Sequence, residues 1–197
     1  MLDATAIGPA PAGVHWHGSW TPGEADEAAR VAQLPALQRL LLTTDGTVTT
    51  ALATIVGEPI GVRMLSQDIV ALTEDDAELA LWAGGNVLER RVLLYGAETG
   101  TPLLYGASRI VAHRLPRPAR DALLIGGAAI GLILRAHEIE TFRAPLSVGV
   151  APASDAAAAV LGSGLMCQRT YAIRAQDRPL MIVHEQFPAA GFEGARR

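Results

Sequence analysis

The chain is expected to fold as an α+β domain, an antiparallel β-sheet covered by helices. Three observations predict this. Alternating apolar runs fill the middle and the end of the 197-residue sequence. The connections between them are short, and short connections favour antiparallel pairing because parallel strands need a long crossover. Helical spacing is confined to the first quarter and to one stretch between strands.

The elements follow in order. Residues 1–26 are rich in Gly, Pro and Ala and are expected to form a flexible arm, with His15 and His17 flanking Trp16. Two histidines without a third ligand nearby make a poor metal site. The arm's tryptophans are better suited to packing on the domain. Helical spacing begins near Glu24 and runs through Val31, Leu34 and Leu37 to Leu42, with Pro35 restarting the helix. Thr43–Thr50 is a turn into a second helix, capped by Asp45 or Thr47 and stopped at Gly57. Residues 59–72, 78–83, 88–95 and 103–112 are predicted strands. Residues 117–135 are predicted as a helix interrupted at Gly126-Gly127 and near Gly131. Its apolarity on all sides implies either deep burial against the sheet or glycines marking close backbone approach to a ligand. Residues 136–149 form a mixed segment, and 151–164 a small-residue loop with a helical turn. A hairpin of 169–174 and 179–188 about the break 175–178 completes a domain spanning 27–188, with 189–197 expected as a loose tail.

Bulk composition excludes several functions. Half of the residues are apolar and 18% are charged, so the chain is globular. A net charge of −4 and the absence of a basic block argue against nucleic acid. Every basic residue is Arg, which excludes Schiff-base chemistry through a lysine and suits two-pronged binding of carboxylates. The single Cys167 precludes an intrachain disulfide and fits a cytoplasmic setting; a buried apolar role suits it better than that of a nucleophile. No signal peptide is recognisable. The longest apolar run, Ala122–Leu134, is too short to span a bilayer. No phosphate loop, CxxC pair or GxSxG elbow is present. A small-molecule ligand is expected, and a monomer or homodimer.

Two charged residues stand out by parity. Glu185 shares a strand face with Met181, Val183 and Phe187, and Arg90 shares one with Leu88, Val92 and Leu94. A charge on an apolar face needs a partner or a task. The pair reads equally as an inter-strand salt bridge or as a ligand site. Arg169 shares a face with Tyr171 and suits either a second anion anchor or a partner for Glu185. His184, on the opposite face, reads as a structural histidine, and Asp75-Asp76 as a solvated turn.

Asp45-Gly-Thr-Val-Thr49, Glu89-Arg-Arg-Val-Leu-Leu94, Ala107-Ser108 with Leu115-Pro116, and Arg169-Thr-Tyr through Arg178-Pro-Leu-Met to Glu185-Gln-Phe-Pro188 occur in an order that resembles the chorismate pyruvate-lyase family, in its actinobacterial branch. The resemblance spans about residues 36–188. It implies a chorismate-lyase-like fold with an internal ligand pocket beneath two flaps. It implies release of pyruvate from chorismate to give 4-hydroxybenzoate, with no metal or organic cofactor. The family's carboxylate-binding arginine falls on Arg90, and its glutamate at the ligand's oxygen end on Glu185. A main-chain contact falls on Ile130, and a methionine contact on Thr47. A second family arginine falls on Ala107, for which Arg109, two residues on, is a candidate substitute. Arg143, in the 136–149 segment, is a candidate for the second carboxylate. The lyase is expected to supply secondary metabolism; Thr47 in place of methionine and Ala129-Ile-Gly-Leu132 in place of Pro-Leu-Gly-Arg point to a rival, the same fold recruited to cyclisation or elimination on an apolar natural-product intermediate. A non-catalytic binder of small aromatic acids is the third reading.

Overall fold

A computed structural model describes residues 30–192. The expected N-terminal arm with its His15-Trp16-His17 segment, the start of the first helix, and residues 193–197 of the expected tail lie outside the described residues. Within 30–192 the elements are α1 (Ala36–Thr43), α2 (Val48–Val56), β1 (Ile60–Ala71), β2 (Asn86–Gly96), β3 (Pro102–Ile110), a 3-10 turn (Ala112–Arg114), α3 (Arg117–Ile125), α4 (Ile130–Ala136), β4 (Phe142–Pro152), α5 (Asp155–Leu161), β5 (Leu165–Ala175) and β6 (Arg178–Pro188). Among the described residues no helix is long and apolar enough to cross a membrane.

The strands form one sheet in the order β1-β2-β3-β6-β5-β4, with every neighbouring pair antiparallel. The chain lays down β1 to β3 as a meander and crosses over through α3 and α4. It then builds inward from the far edge until β6 pairs with β3. Two apolar clusters cover one face of the sheet. Leu41, Leu42, Val48 and Leu52 of α1 and α2 pack on Leu94, Leu104 and Phe187. Leu123, Ile133 and Leu134 of α3 and α4 pack on Ile110, Ile173 and Met181. The opposite face carries a smaller cluster, in which Leu79 from the β1–β2 connection meets Ala172 and Ile182.

Local chemistry explains the boundaries. Gly57 ends α2 at φ 77°, the left-handed conformation that glycine adopts without strain. Gln176 and Asp177 both have positive φ, which gives the β5–β6 hairpin the twist that a two-residue turn requires. Gly126 and Gly127, at φ 80° and 79°, split the predicted 117–135 helix into α3 and α4. Deep burial of that stretch is not observed throughout, since Leu124, Ile125 and Leu132 are exposed.

Several expectations are corrected or sharpened. Residues 78–83 are not a strand and keep only an isolated Asp76–Leu81 bridge. The Asp76 carboxylate accepts a hydrogen bond from Leu79 N–H at 2.9 Å, closing a turn that competes with a strand. Asp76 is also buried rather than solvated. The mixed 136–149 segment contains β4, an edge strand, where Pro145 and Pro152 can sit without breaking a central ladder. The 151–164 loop contains α5, started by Ser154, whose Oγ accepts from Ala157 N–H. Of the expected tail, Ala189 is buried and the Phe192 ring stacks on Phe187 with centroids 6.4 Å apart.

Candidate active site

Strand register brings the site together. Arg90 sits mid-sheet, opposite Gln67 on β1 and Ser108 on β3. Glu185 lies opposite Gly106 on β3 and Arg169 on β5. Residues opposite one another share a face. Arg90, Ser108, Val183, Glu185, Arg169 and Tyr171 therefore project to the side that the helices cover.

Arg90 is 2% exposed. Its Nη2 donates to Ala128 O at 2.7 Å, in the loop between α3 and α4. Its Nε and Nη1 have no hydrogen-bond partner among the described residues. Burial lowers its pKa from the usual arginine value, with no carboxylate acting against the shift. A guanidinium remains charged under any ordinary condition. A buried cation with two unused donors is costly on its own and suited to an incoming anion.

Glu185 is buried too, and each of its oxygens accepts a hydrogen bond. Arg169 Nε donates to its Oε2 at 2.5 Å, and Tyr171 Oη to its Oε1 at 3.1 Å. The expected alternatives resolve: Glu185 is paired with Arg169, and no Arg90–Glu185 salt bridge forms. Arg169 Nη1 also donates to Leu41 O at 2.6 Å and Thr44 O at 2.9 Å. These carbonyls lie at the C-terminal end of α1, where the helix dipole favours a cation. Burial, the largest effect on Arg169, lowers its pKa, but Glu185 and Tyr171 together outweigh it and hold the guanidinium above its ordinary value. The Arg169 guanidinium lies 5.0 Å from the Tyr171 ring centroid. Burial, reinforced by the Glu185 charge, raises the Tyr171 phenol well above its usual pKa, so this hydroxyl donates rather than ionises.

A tight cavity of about 60 Å³ separates these groups, and Thr47, Arg90, Ile130, Arg143, Tyr171 and Glu185 are among its walls. Thr47 caps α2 without a side-chain hydrogen bond. Gly131, beside Ile130, packs so closely on Thr47 that a Cβ there would come within 2.8 Å of Thr47 Cγ2. Arg143, on β4, is half-buried and ties itself to Asp45 O through Nη1 at 3.0 Å. The structure thus gathers five of the seven expected site residues around one space, with Arg169 directly behind Glu185.

Arg109 does not join them. It lies opposite Glu89 and Ile182, on the other face of the sheet, and pairs with Asp76 at 2.5 Å and Glu78 at 3.7 Å. It cannot replace an arginine pointing at the cavity. Tyr171 is the residue that sequence reasoning left out of the site; its parity with Arg169 was the available signal. Cys167 is buried, and its thiol is pushed up to about 12 by desolvation, as suits an inert core residue.

An antiparallel sheet with α1 to α4 on one face, and with a buried arginine and a buried carboxylate lining one cavity on that face, defines the class as an α+β domain with an internal site. Residues 42–193 match the family described as chorismate pyruvate-lyase, Rv2949c-like, and the chain belongs to that family of carbon–oxygen lyases. It is 29% identical to the chorismate pyruvate-lyase of Mycobacterium leprae over 165 residues, 81% of this chain and 77% of the relative. It is 26% identical to the chorismate pyruvate-lyase of Mycobacterium tuberculosis strain H37Rv over 163 residues, 80% and 82% of the two chains. Among solved structures, PhnF from Mycobacterium smegmatis superposes with a TM-score of 0.57 at 18% identity, over 74% of this chain and 64% of PhnF. The PhnF effector domain alone gives a TM-score of 0.56 at 18% identity, over 72% of this chain and 88% of the domain. At that identity the likeness concerns the fold alone.

Proposed function

We propose that this chain eliminates pyruvate from chorismate to leave 4-hydroxybenzoate, with the ring held between Arg90 and Glu185. The observation that carries the reading is the buried Arg90 guanidinium, whose Nε and Nη1 lack partners among the described residues at the wall of the cavity. The ring carboxylate of chorismate supplies the missing acceptor and can take both donors in parallel. The opposite end of the ring then lies toward Glu185.

The chemistry asked of the protein is modest. The ring loses the proton on its hydroxyl-bearing carbon and the neighbouring C–O ether bond breaks. The bond electrons leave with enolpyruvate, which takes up a proton at its methylene carbon to become pyruvate. Aromatisation supplies much of the driving force, so orientation and exclusion of water are the main demands. Glu185 is the base in this scheme. Arg169 fixes the carboxylate from behind and Tyr171 steadies its second oxygen, so one oxygen's remaining lone pair is held in one direction.

The test is incubation with chorismate and measurement of pyruvate. Wild type releases pyruvate and 4-hydroxybenzoate in equal amounts. Arg90→Ala loses about a hundredfold in kcat/KM, the equivalent of about 3 kcal/mol for a charge-assisted pair. A folded wild-type protein that binds 4-hydroxybenzoate but releases no pyruvate is a binder of aromatic acids, and the lyase reading fails.

A further inference from the structure

A second cavity, of about 290 Å³, lies beside the first. Arg143 and Tyr171 line both, so the two cavities share part of a wall. Arg169, Thr44, Pro145 and Val148 complete the part of the wall that matters here. The two guanidinium groups each have spare capacity. Arg169 is 3% exposed and its Nη2 has no hydrogen-bond partner among the described residues. Arg143 Nε is likewise buried without one. Asp45 is the acid in this lining, and it is exposed; Arg143 takes its backbone carbonyl rather than its carboxylate.

We propose that this second cavity is a subsite for a small 2-oxo acid, the three-carbon product that leaves the ring. The inference rests on the lyase reading above for the identity of that acid, and on the cavity itself for the chemistry. Chorismate carries two carboxylates, and Arg90 accounts for one. The second belongs to the enolpyruvyl group, at the end of the ring where Tyr171 Oη meets Glu185. Beyond Tyr171 the wall contains two cations and one solvated acid, so a compact monoanion is favoured there. Arg143 is the anchoring group, because Arg169 is already held by Glu185 and two carbonyls, whereas Arg143 makes a single hydrogen bond to the backbone. The leaving acid is thus received in a compartment of its own, and the ring product stays on Arg90 after the C–O bond has broken.

Ligand-observed NMR titration with pyruvate and with 4-hydroxybenzoate, singly and together, tests this on folded full-length protein. In wild type the two acids bind at the same time. Arg143→Gln weakens pyruvate about tenfold, the loss of one charge-assisted contact, and weakens 4-hydroxybenzoate, which Arg90 anchors, by a clearly smaller factor. Val148→Phe, which fills the cavity without altering charge, gives the same selective loss. Mutual displacement of the two acids, equal weakening of both by Arg143→Gln, or no pyruvate binding up to tens of millimolar overturns the subsite. A wild type that binds pyruvate through Arg143 but does not consume chorismate sustains the subsite and sinks the lyase reading, so the two failures are distinguishable.

Discussion

Replacing one oxygen of Glu185 with an amide nitrogen keeps the side chain's shape but places a donor where Arg169 Nε and Tyr171 Oη both need acceptors. Glu185→Gln should therefore lower kcat by about 10² to 10⁴, the usual contribution of a positioned proton acceptor. It should also destabilise the fold by about 3 kcal/mol, because the Arg169 cation is left buried without its counter-ion. Tyr171→Phe separates the two effects: it leaves the ion pair and frees one carboxylate oxygen, so kcat should fall by about tenfold with a smaller change in stability. Pyruvate release and urea unfolding on both variants check this, and a Glu185→Gln enzyme within tenfold of wild type removes Glu185 from the proton-transfer role. Parity along β2 and β6 made Arg90 and Glu185 legible in the sequence, since a charge on an apolar strand face is conspicuous. Parity could not say which cation meets which anion. That depends on strand order, and β5 rather than β2 lies beside β6 on the Glu185 side. Arg109 failed for the related reason that a one-residue shift of register turns a side chain to the other face.

Elements announced by strong local chemistry were readable: the stop at Gly57 and the break at Gly126-Gly127 came from glycines at positive φ, and the hairpin turn at 175–178 from a polar break between two alternating runs. β4 was hidden because its prolines argue against a strand unless it is known to lie at an edge, and edge position is a property of the assembled sheet. The α2–α4 contact is the element-scale feature that shapes the cavity, with Gly131 against Thr47 as its closest point. Gly131→Ala should push α4 away from α2, costing about 1–2 kcal/mol and weakening 4-hydroxybenzoate binding. Thr47→Ala in the same chain removes the two atoms at 2.8 and 3.2 Å and should recover most of that stability, because Thr47 makes no side-chain capping bond. Thermal unfolding of the single and double variants decides it; additive losses would mean that the two helices are not in contact at this point.

At the scale of the whole molecule, the face opposite the site carries polar groups of its own. Besides the Arg109–Asp76 ion pair, it holds a network in which His184 Nδ1 lies 3.1 Å from Thr170 Oγ1 and its Nε2 lies 2.9 Å from Gln186 Nε2. Gln186 in turn accepts from Ser154 N–H at 3.1 Å, which fastens the start of α5 to the sheet. Burial pushes the His184 imidazole down to about 4, only partly countered by a hydrogen bond with the Arg169 backbone. A histidine held neutral in the fold stays free to take a proton in the unfolded chain near pH 6.5. Its contribution to stability is therefore complete above about pH 6.5 and drains as the pH falls toward 4, by about 3 kcal/mol over the whole window. Urea unfolding at pH 7.5 and pH 5 should show wild type losing about 2 kcal/mol more than His184→Gln between the two conditions, the share of the shift realised by pH 5. The comparison cancels the carboxylates common to both proteins, so equal losses would show that His184 is not held neutral beneath α5.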